Sequence, residues 1–207
     1  MTPQELARTC HTFVSGHRPR TGAQDYAAMA AWCEAHGVVH DTYGEGPLIQ
    51  QFEARIAELL GLEAAVFCIS GTLAQQVALR LGSRQRGSEL VALHATAHIL
   101  RHELANYQLL GHFKVLEVGD PFRTWDASAL AASPEHFGAA LYELPMREIG
   151  GQLPSWEALD GVKAHCQLHK IHLHLDGARL WEAATGYGKP LAEVVAGFDS
   201  AYVSFYK

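Results

Sequence analysis

Three stretches of this chain place reactive side chains directly after short apolar runs. Ser70-Gly71-Thr72 follows Ala65–Ile69, Asp176-Gly177-Ala178-Arg179 follows Ile171–Leu175, and Lys207 follows Ala201–Phe205. A carboxylate backed by Leu173 and Leu175 is costly to bury without a partner. A protonated ring nitrogen would serve Asp176, and so would Arg179 in an ion pair at a helix start; Arg179 can also grip a ligand carboxylate through its guanidinium fork. Gly71 lets backbone approach a ligand closely, and free N–H groups with the hydroxyls of Ser70 and Thr72 can hold a phosphate, although an ordinary N-cap uses the same residue types. Lys207 is either an exposed lysine or, if desolvated at a strand end, a nucleophilic amine.

The histidines offer a second chemistry. His94, His98 and His102 recur at i, i+4 spacing, and His169, His172 and His174 crowd around one apolar run. Such spacing can bind a metal, but no H-E-x-x-H pattern and no evident acidic third ligand accompany it, so the expectation is no metal site. Four cysteines, Cys10, Cys33, Cys68 and Cys166, lie scattered without a C-x-x-C pair, as expected of free thiols in a reducing compartment.

The elements that must position these residues alternate. Asp25–His36 reads as a helix closed by Gly37, after a loop at His17-Arg18-Pro19-Arg20. Pro47 opens an amphipathic helix marked by Leu48, Phe52, Ile56, Leu59 and Leu60 and ended by Gly61. Strands are expected at 65–69, 90–93, 114–118, 139–144, 171–175 and 201–205, and helices at 73–81, 99–109, 127–132, 155–168, 180–185 and 191–196. This alternation predicts an α/β fold: a mostly parallel central sheet with helices on both faces and ligands at the carboxyl ends of the strands. The 207 residues, 48% hydrophobic and 18% charged, can build a sizeable core. A net charge of −6 and no run of like charges argue against nucleic acid, and no stretch is long and apolar enough to span a membrane. A cytoplasmic, soluble protein is the expectation.

Taken jointly, the pieces resemble the threonine aldolase and β-eliminating lyase family of pyridoxal-phosphate enzymes. The matching stretches are Tyr43-Gly44-Glu45-Gly46-Pro47, Glu63–Phe67 with Ser70-Gly71-Thr72, Ala97-His98, His174–Leu180, and Gly197–Ser200 leading to Lys207. The resemblance implies an aspartate-aminotransferase-like large domain at 41–207, an N-terminal arm and helix at 1–40, and a small C-terminal domain beyond residue 207. It also implies roles. Ser70, Gly71 and Thr72 would hold the phosphate of pyridoxal 5′-phosphate, and His98 would stack on its ring. Asp176 would pair with the ring nitrogen, Arg179 would help hold the substrate carboxylate, and Lys207 would be the Schiff-base lysine. Tyr43 would reach the site of a neighbouring subunit in a dimer or tetramer with shared active sites. The expected reaction is cleavage of a β-hydroxy-α-amino acid to glycine and an aldehyde. The alternatives are β-elimination or another reaction on a different amino acid, or cofactor binding without turnover.

Two departures bear on the substrate. Where threonine aldolases carry Asn-Thr-His-Asn after a strand, this chain reads Leu144-Pro145-Met146-Arg147-Glu148 after Glu143, and Tyr206 replaces the usual serine before the lysine. The histidine expected at the substrate hydroxyl is gone. Glu143 and Arg147 become candidate substrate contacts, and Glu148 a candidate base or Arg147's structural partner.

Overall fold

The structure, a computed structural model, describes residues 2–13 and 19–206. His17, Arg18 and Lys207, on which expectations fell, lie outside the described residues. The chain forms two compact units, one of residues before Ala54 and one of Ala54–Tyr206.

The first unit holds α1 (Pro3–Thr9), α2 (Gly22–Ala35) and the start of α3 (Pro47–Leu60). α1 and α2 open on capping boxes, Thr2 with Glu5 and Thr21 with Gln24, which satisfy otherwise orphaned amides. α2 buries none of its residues. Between α2 and α3, the Asp41 carboxylate accepts the backbone N–H groups of Tyr43, Gly44, Glu45 and Gly46 at 2.9–3.3 Å. These donors hold its acid below the usual carboxylate range, Gly46 contributing most.

The second unit is a five-stranded parallel sheet in the order β2-β1-β3-β4-β5. Its strands are β1 (Leu90–His94), β2 (Lys114–Val118), β3 (Ala139–Glu143), β4 (His172–Gly177) and β5 (Ser200–Val203). The helices are α4 (Gly71–Gln85), α5 (His98–Arg101), α6 (Asn106–Leu109), α7 (Ala127–Ala131), α8 (Trp156–Leu168), α9 (Leu180–Tyr187) and α10 (Leu191–Val195).

Strand alternation sorts the core into two clusters. Val91, Leu93, Ala139 and Leu141 pack with Leu79 of α4, whereas Ala92, Ala140, Tyr142, Leu173 and Leu175 pack with residues of α7, α8, α9 and α10. Each fully buried Leu or Val side chain stabilises by about 1.5–3 kcal/mol. Helices therefore cover both faces, as the sequence predicts.

Three expectations are corrected. Residues 65–69 form no strand, because among the described residues no strand pairs with them, and Val66 and Ile69 stay exposed. The helix expected at 99–109 is two short helices, α5 and α6, separated by Leu104 and Ala105 in left-handed conformations (φ 53° each). β5 stops at Val203, short of Phe205.

The α4-facing side of β4 is polar where apolar residues would be the norm. His172 and His174 sit there buried, and both rings meet one hydroxyl: Ser200 Oγ lies 2.7 Å from His172 Nε2 and 2.8 Å from His174 Nδ1. Burial pushes His174 down to about 3, with the neighbouring His172 adding to the effect. An unfolded histidine takes its proton near pH 6.5. Below that pH the unfolded chain holds a proton the folded chain refuses, so His174 subtracts stability as pH falls from about 6.5 towards 3. His174→Asn keeps a polar group near Nδ1 without the titration. Relative to the wild type, the variant is expected to gain about 1.4 kcal/mol for each pH unit below 6.5, read by urea unfolding of both proteins at pH 7 and pH 4.5.

Candidate active site

Parallel pairing brings three side chains to one level at the carboxyl ends of the central strands. Glu143 of β3 is in register with Asp176 of β4, and Asp176 with Tyr202 of β5. By alternation they share the face that α4 covers. α4 runs back along the sheet to feed β1, so its N-terminus returns to this end, and the free amides after Ser70 lie beside Tyr202. A Cβ on Gly71 would overlap the Tyr202 hydroxyl, so glycine is required for this approach. Ser70 caps the helix, its Oγ accepting the Leu73 N–H at 3.2 Å. Thr72 follows in the first turn, part-buried.

Asp176 is 2% exposed, and its Oδ1 accepts the Ala178 N–H at 3.1 Å. Gly177 allows β5 to pass close, since a Cβ there would come within 2.7 Å of the Tyr202 carbonyl oxygen. Arg179, part-buried, is the N-cap residue of α9 and exerts its charge on Glu143.

Glu143 is a perturbed acid. Burial raises it to about 7, and the Asp176 charge pushes the same way. The backbone N–H groups of Arg147 (3.1 Å) and His98 and the Arg179 charge oppose the shift without cancelling it. Two carboxylates side by side in a desolvated strand end resist joint ionisation.

His98 opens α5 immediately after β1. Its Nδ1 lies 3.0 Å from Glu103 Oε1, and the Glu103 side chain is 2% exposed. The other histidines go elsewhere. His94 is tied to Thr96 and to the Asp120 carbonyl, while His102 Nε2 lies 3.1 Å from Glu148 Oε1, which also pairs with Arg147 at 3.2 Å. Among the described residues no group of three His, Cys, Asp or Glu is arranged to hold a metal ion. Met146, near the position of the family's histidine, is 1% exposed and belongs to the core.

Of the residues singled out by sequence, Ser70, Gly71, Thr72, Asp176, Arg179, Glu143, Arg147 and His98 all belong to this end of the second unit. Tyr43 lies in the first unit, 85% exposed at the Asp41 turn. Sequence reasoning missed Tyr202 and Glu103. A tyrosine inside an apolar strand two residues after Ser200 was the available signal for the first, and the acid five residues after His98 for the second.

The fold is an aminotransferase-like α/β fold. A transaminase solved with pyridoxal phosphate bound superposes over 89% of this chain and 46% of its own, with a TM-score of 0.61 and 18% identity. The beta-eliminating lyase family model matches residues 21–207, so the chain belongs to that family. It is 31% identical, over its whole length, to 55% of a low specificity L-threonine aldolase of Saccharomyces cerevisiae. A candidate aromatic amino acid β-eliminating lyase/threonine aldolase of Exiguobacterium sp. 255-15 aligns with 99% of this chain and 57% of its own, at 38% identity and a TM-score of 0.89. A candidate L-allo-threonine aldolase of Listeria monocytogenes EGD-E aligns with 99% of this chain and 56% of its own, at 37% identity and a TM-score of 0.83. The chain spans about half the length of the curated relatives it matches (55% and 53% for two of them).

Glu143 generates a test of the electrostatics. Its folded acid protonates near 7 and its unfolded acid near 4.5, so between those values the folded chain holds a proton the unfolded chain has released. Stability attributable to Glu143 therefore falls as pH rises from about 4.5 to about 7 and stays low above. Glu143→Gln is expected to exceed the wild type by about 2–3 kcal/mol at pH 8 and to match it near pH 4.5 in urea unfolding. Equal midpoints at pH 8 would show that Glu143 ionises without penalty.

Proposed function

We propose that the whole protein is a pyridoxal-phosphate-dependent lyase that cleaves a β-hydroxy-α-amino acid between its α- and β-carbons, giving glycine and an aldehyde. The observation that carries this reading is the buried Asp176 carboxylate aligned with Glu143 and facing the N-terminal turn of α4, in a chain related to threonine aldolases.

The residues present fit the cofactor. The Gly71 approach leaves amides and hydroxyls free for a phosphate at a helix N-terminus, and the carboxylate pair forms a negative site suited to a protonated ring nitrogen. Ser70, Gly71 and Thr72 would hold the phosphate, Asp176 would keep the ring nitrogen cationic, and His98 would lie against the ring. Lys207 would supply the amine for the cofactor aldehyde, and Arg179 would hold the substrate carboxylate and so orient the α-carbon. Bound there, the cofactor supplies an electron sink for the breaking bond.

The substrate hydroxyl must lose a proton as the bond breaks. With Met146 buried, the groups left near the family's histidine position are Glu148, with His102 at 3.1 Å, and Arg147. Glu148 is held below the usual carboxylate range chiefly by its hydrogen bond with His102, and stays an acceptor at neutral pH. We read this cluster as the substrate-side group, which favours a side chain other than that of threonine itself.

Exposed Tyr43, and the exposed Tyr26, Met29 and Trp32 of the unburied α2, support a homo-oligomer, dimer or tetramer, with shared sites. Cytoplasmic residence is in keeping with free Cys10, Cys33, Cys68 and Cys166. Among the described residues no helix is long and apolar enough to cross a membrane.

A panel of β-hydroxy amino acids, assayed for glycine and aldehyde with full-length protein, tests the reaction. Release of ammonia and a keto acid without glycine would replace cleavage by elimination. Lys207→Ala is expected to abolish the visible absorbance of bound cofactor and the borohydride-fixed mass on the Lys207 peptide. Asp176→Asn is expected to keep the cofactor but slow turnover about 10²–10³-fold, the scale of a lost preorganised electrostatic contact; unchanged turnover would remove its role.

A further inference from the structure

We propose that Glu103 is the positioning residue for His98: its buried carboxylate fixes the tautomer and plane of the imidazole, so that the ring presents one face to the cofactor. This inference rests on the reading of His98 as the residue lying on the cofactor ring.

Among the described residues the His98 ring has one side-chain hydrogen bond, to Glu103, and one ring neighbour, His102, at 5.0 Å. α5 has four residues, of which Ile99 alone is buried, and the His98 side chain is 36% exposed. A half-exposed imidazole on a short helix has several rotamers open to it. Glu103 removes that freedom. A carboxylate oxygen accepts, so the Nδ1–H of His98 donates across the 3.0 Å contact and Nε2 is left without that proton in the neutral ring.

The contact is not one that a regular helix would give. Residues five apart on a continuous helix are turned about 140° from each other. His98 and Glu103 meet because α5 ends at Arg101 and His102 (φ −126°, ψ −2°) leaves the helical path; just beyond Glu103, Leu104 and Ala105 take left-handed conformations. Non-glycine residues disfavour that region, and such strain concentrates at functional sites. Glu103 also keeps one oxygen, Oε2, buried without a hydrogen-bond partner among the described residues. A buried, half-satisfied carboxylate beside two strained residues weakens the fold, and what it gains is the grip on His98. Its charge is felt at Tyr202, the strand neighbour of Asp176, which places Glu103 at the same end of the sheet.

The experiment uses the full-length protein loaded with pyridoxal phosphate. Visible circular dichroism of the bound cofactor reports ring orientation, and a fluorescence titration gives its Kd. Glu103→Ala is expected to lose most of the induced dichroism and to raise Kd about tenfold, the scale on which partners of ring ligands act elsewhere. Glu103→Gln keeps an oxygen acceptor for Nδ1–H and is expected to restore Kd to within about threefold of wild type. In a His98→Ala background, Glu103→Ala is expected to add less than about twofold, because it acts through the ring. Should Glu103→Ala fail to fold, Glu103→Met, of similar volume, replaces it in each comparison. A folded Glu103 variant with wild-type dichroism, set beside an altered His98→Ala, overturns the proposal, and so does an equal Glu103 effect without His98. If His98→Ala itself changes nothing, the ring-face reading fails first and takes the inference with it.

Discussion

The constraint on which this end of the molecule depends is the burial of acid at the carboxyl ends of parallel strands. Asp176 is almost wholly removed from water, and Glu143 stands beside it in register. Strand pairing holds both in place, Glu143 beside Asp176 and Asp176 also beside Tyr202. Glu143 responds by holding its proton to about 7. Lower on the same face of β4 the problem is solved differently: His172 and His174 share the Ser200 hydroxyl and burial holds both down, so they stay uncharged at neutral pH. On this face of β3 and β4 the acids therefore stand only at the carboxyl ends, where a cationic ligand would relieve the repulsion rather than disturb the core.

Most of the frame was legible in the chain because its signals are local. Apolar runs of strand length bounded by helical periodicity marked β1 to β5, and Ser70 with Gly71 marked the start of α4. Residues 65–69 carry the same apolar signal and form no strand, since a strand exists only with a hydrogen-bonded neighbour, which composition cannot report. The break between α5 and α6 was invisible for another reason. No glycine or proline stands in His102-Glu103-Leu104-Ala105, so local propensity carries no mark of the left-handed turn at Leu104 and Ala105.

The site shows the same division. Asp176 and Arg179 were readable from position alone, being polar residues at the end of an apolar run. Tyr202 was not, because its meeting with Gly71 joins two parts of the chain that only the sheet brings together. Met146 could be read as a site residue from its place in the remodelled loop. The backbone instead turns it inward, with Met146 bridged to Gln152 and Gly150 and Gly151 taking positive φ to close the turn. That turn leaves Arg147 and Glu148 as the charged residues of the loop.

Helix α5 joins the two halves of the site. At its start, His98 is tied to Glu103 and gives its backbone N–H to Glu143; at its end, His102 is tied to Glu148. The two rings lie 5.0 Å apart, so the residues proposed to meet the cofactor and those proposed to meet the substrate side chain are separated by one helical turn. Loops at strand ends ordinarily vary without cost to the sheet. Here a change at Glu148, or at Arg147 through Glu148, reaches His102, and His98 through a four-residue helix with a single buried anchor, Ile99. Glu103 is what keeps that coupling from reorienting the ring at His98. A loop free to change its substrate contacts while the ring face stays fixed requires a restraint on His98 that does not pass through the loop, and the buried carboxylate is the one this fold provides.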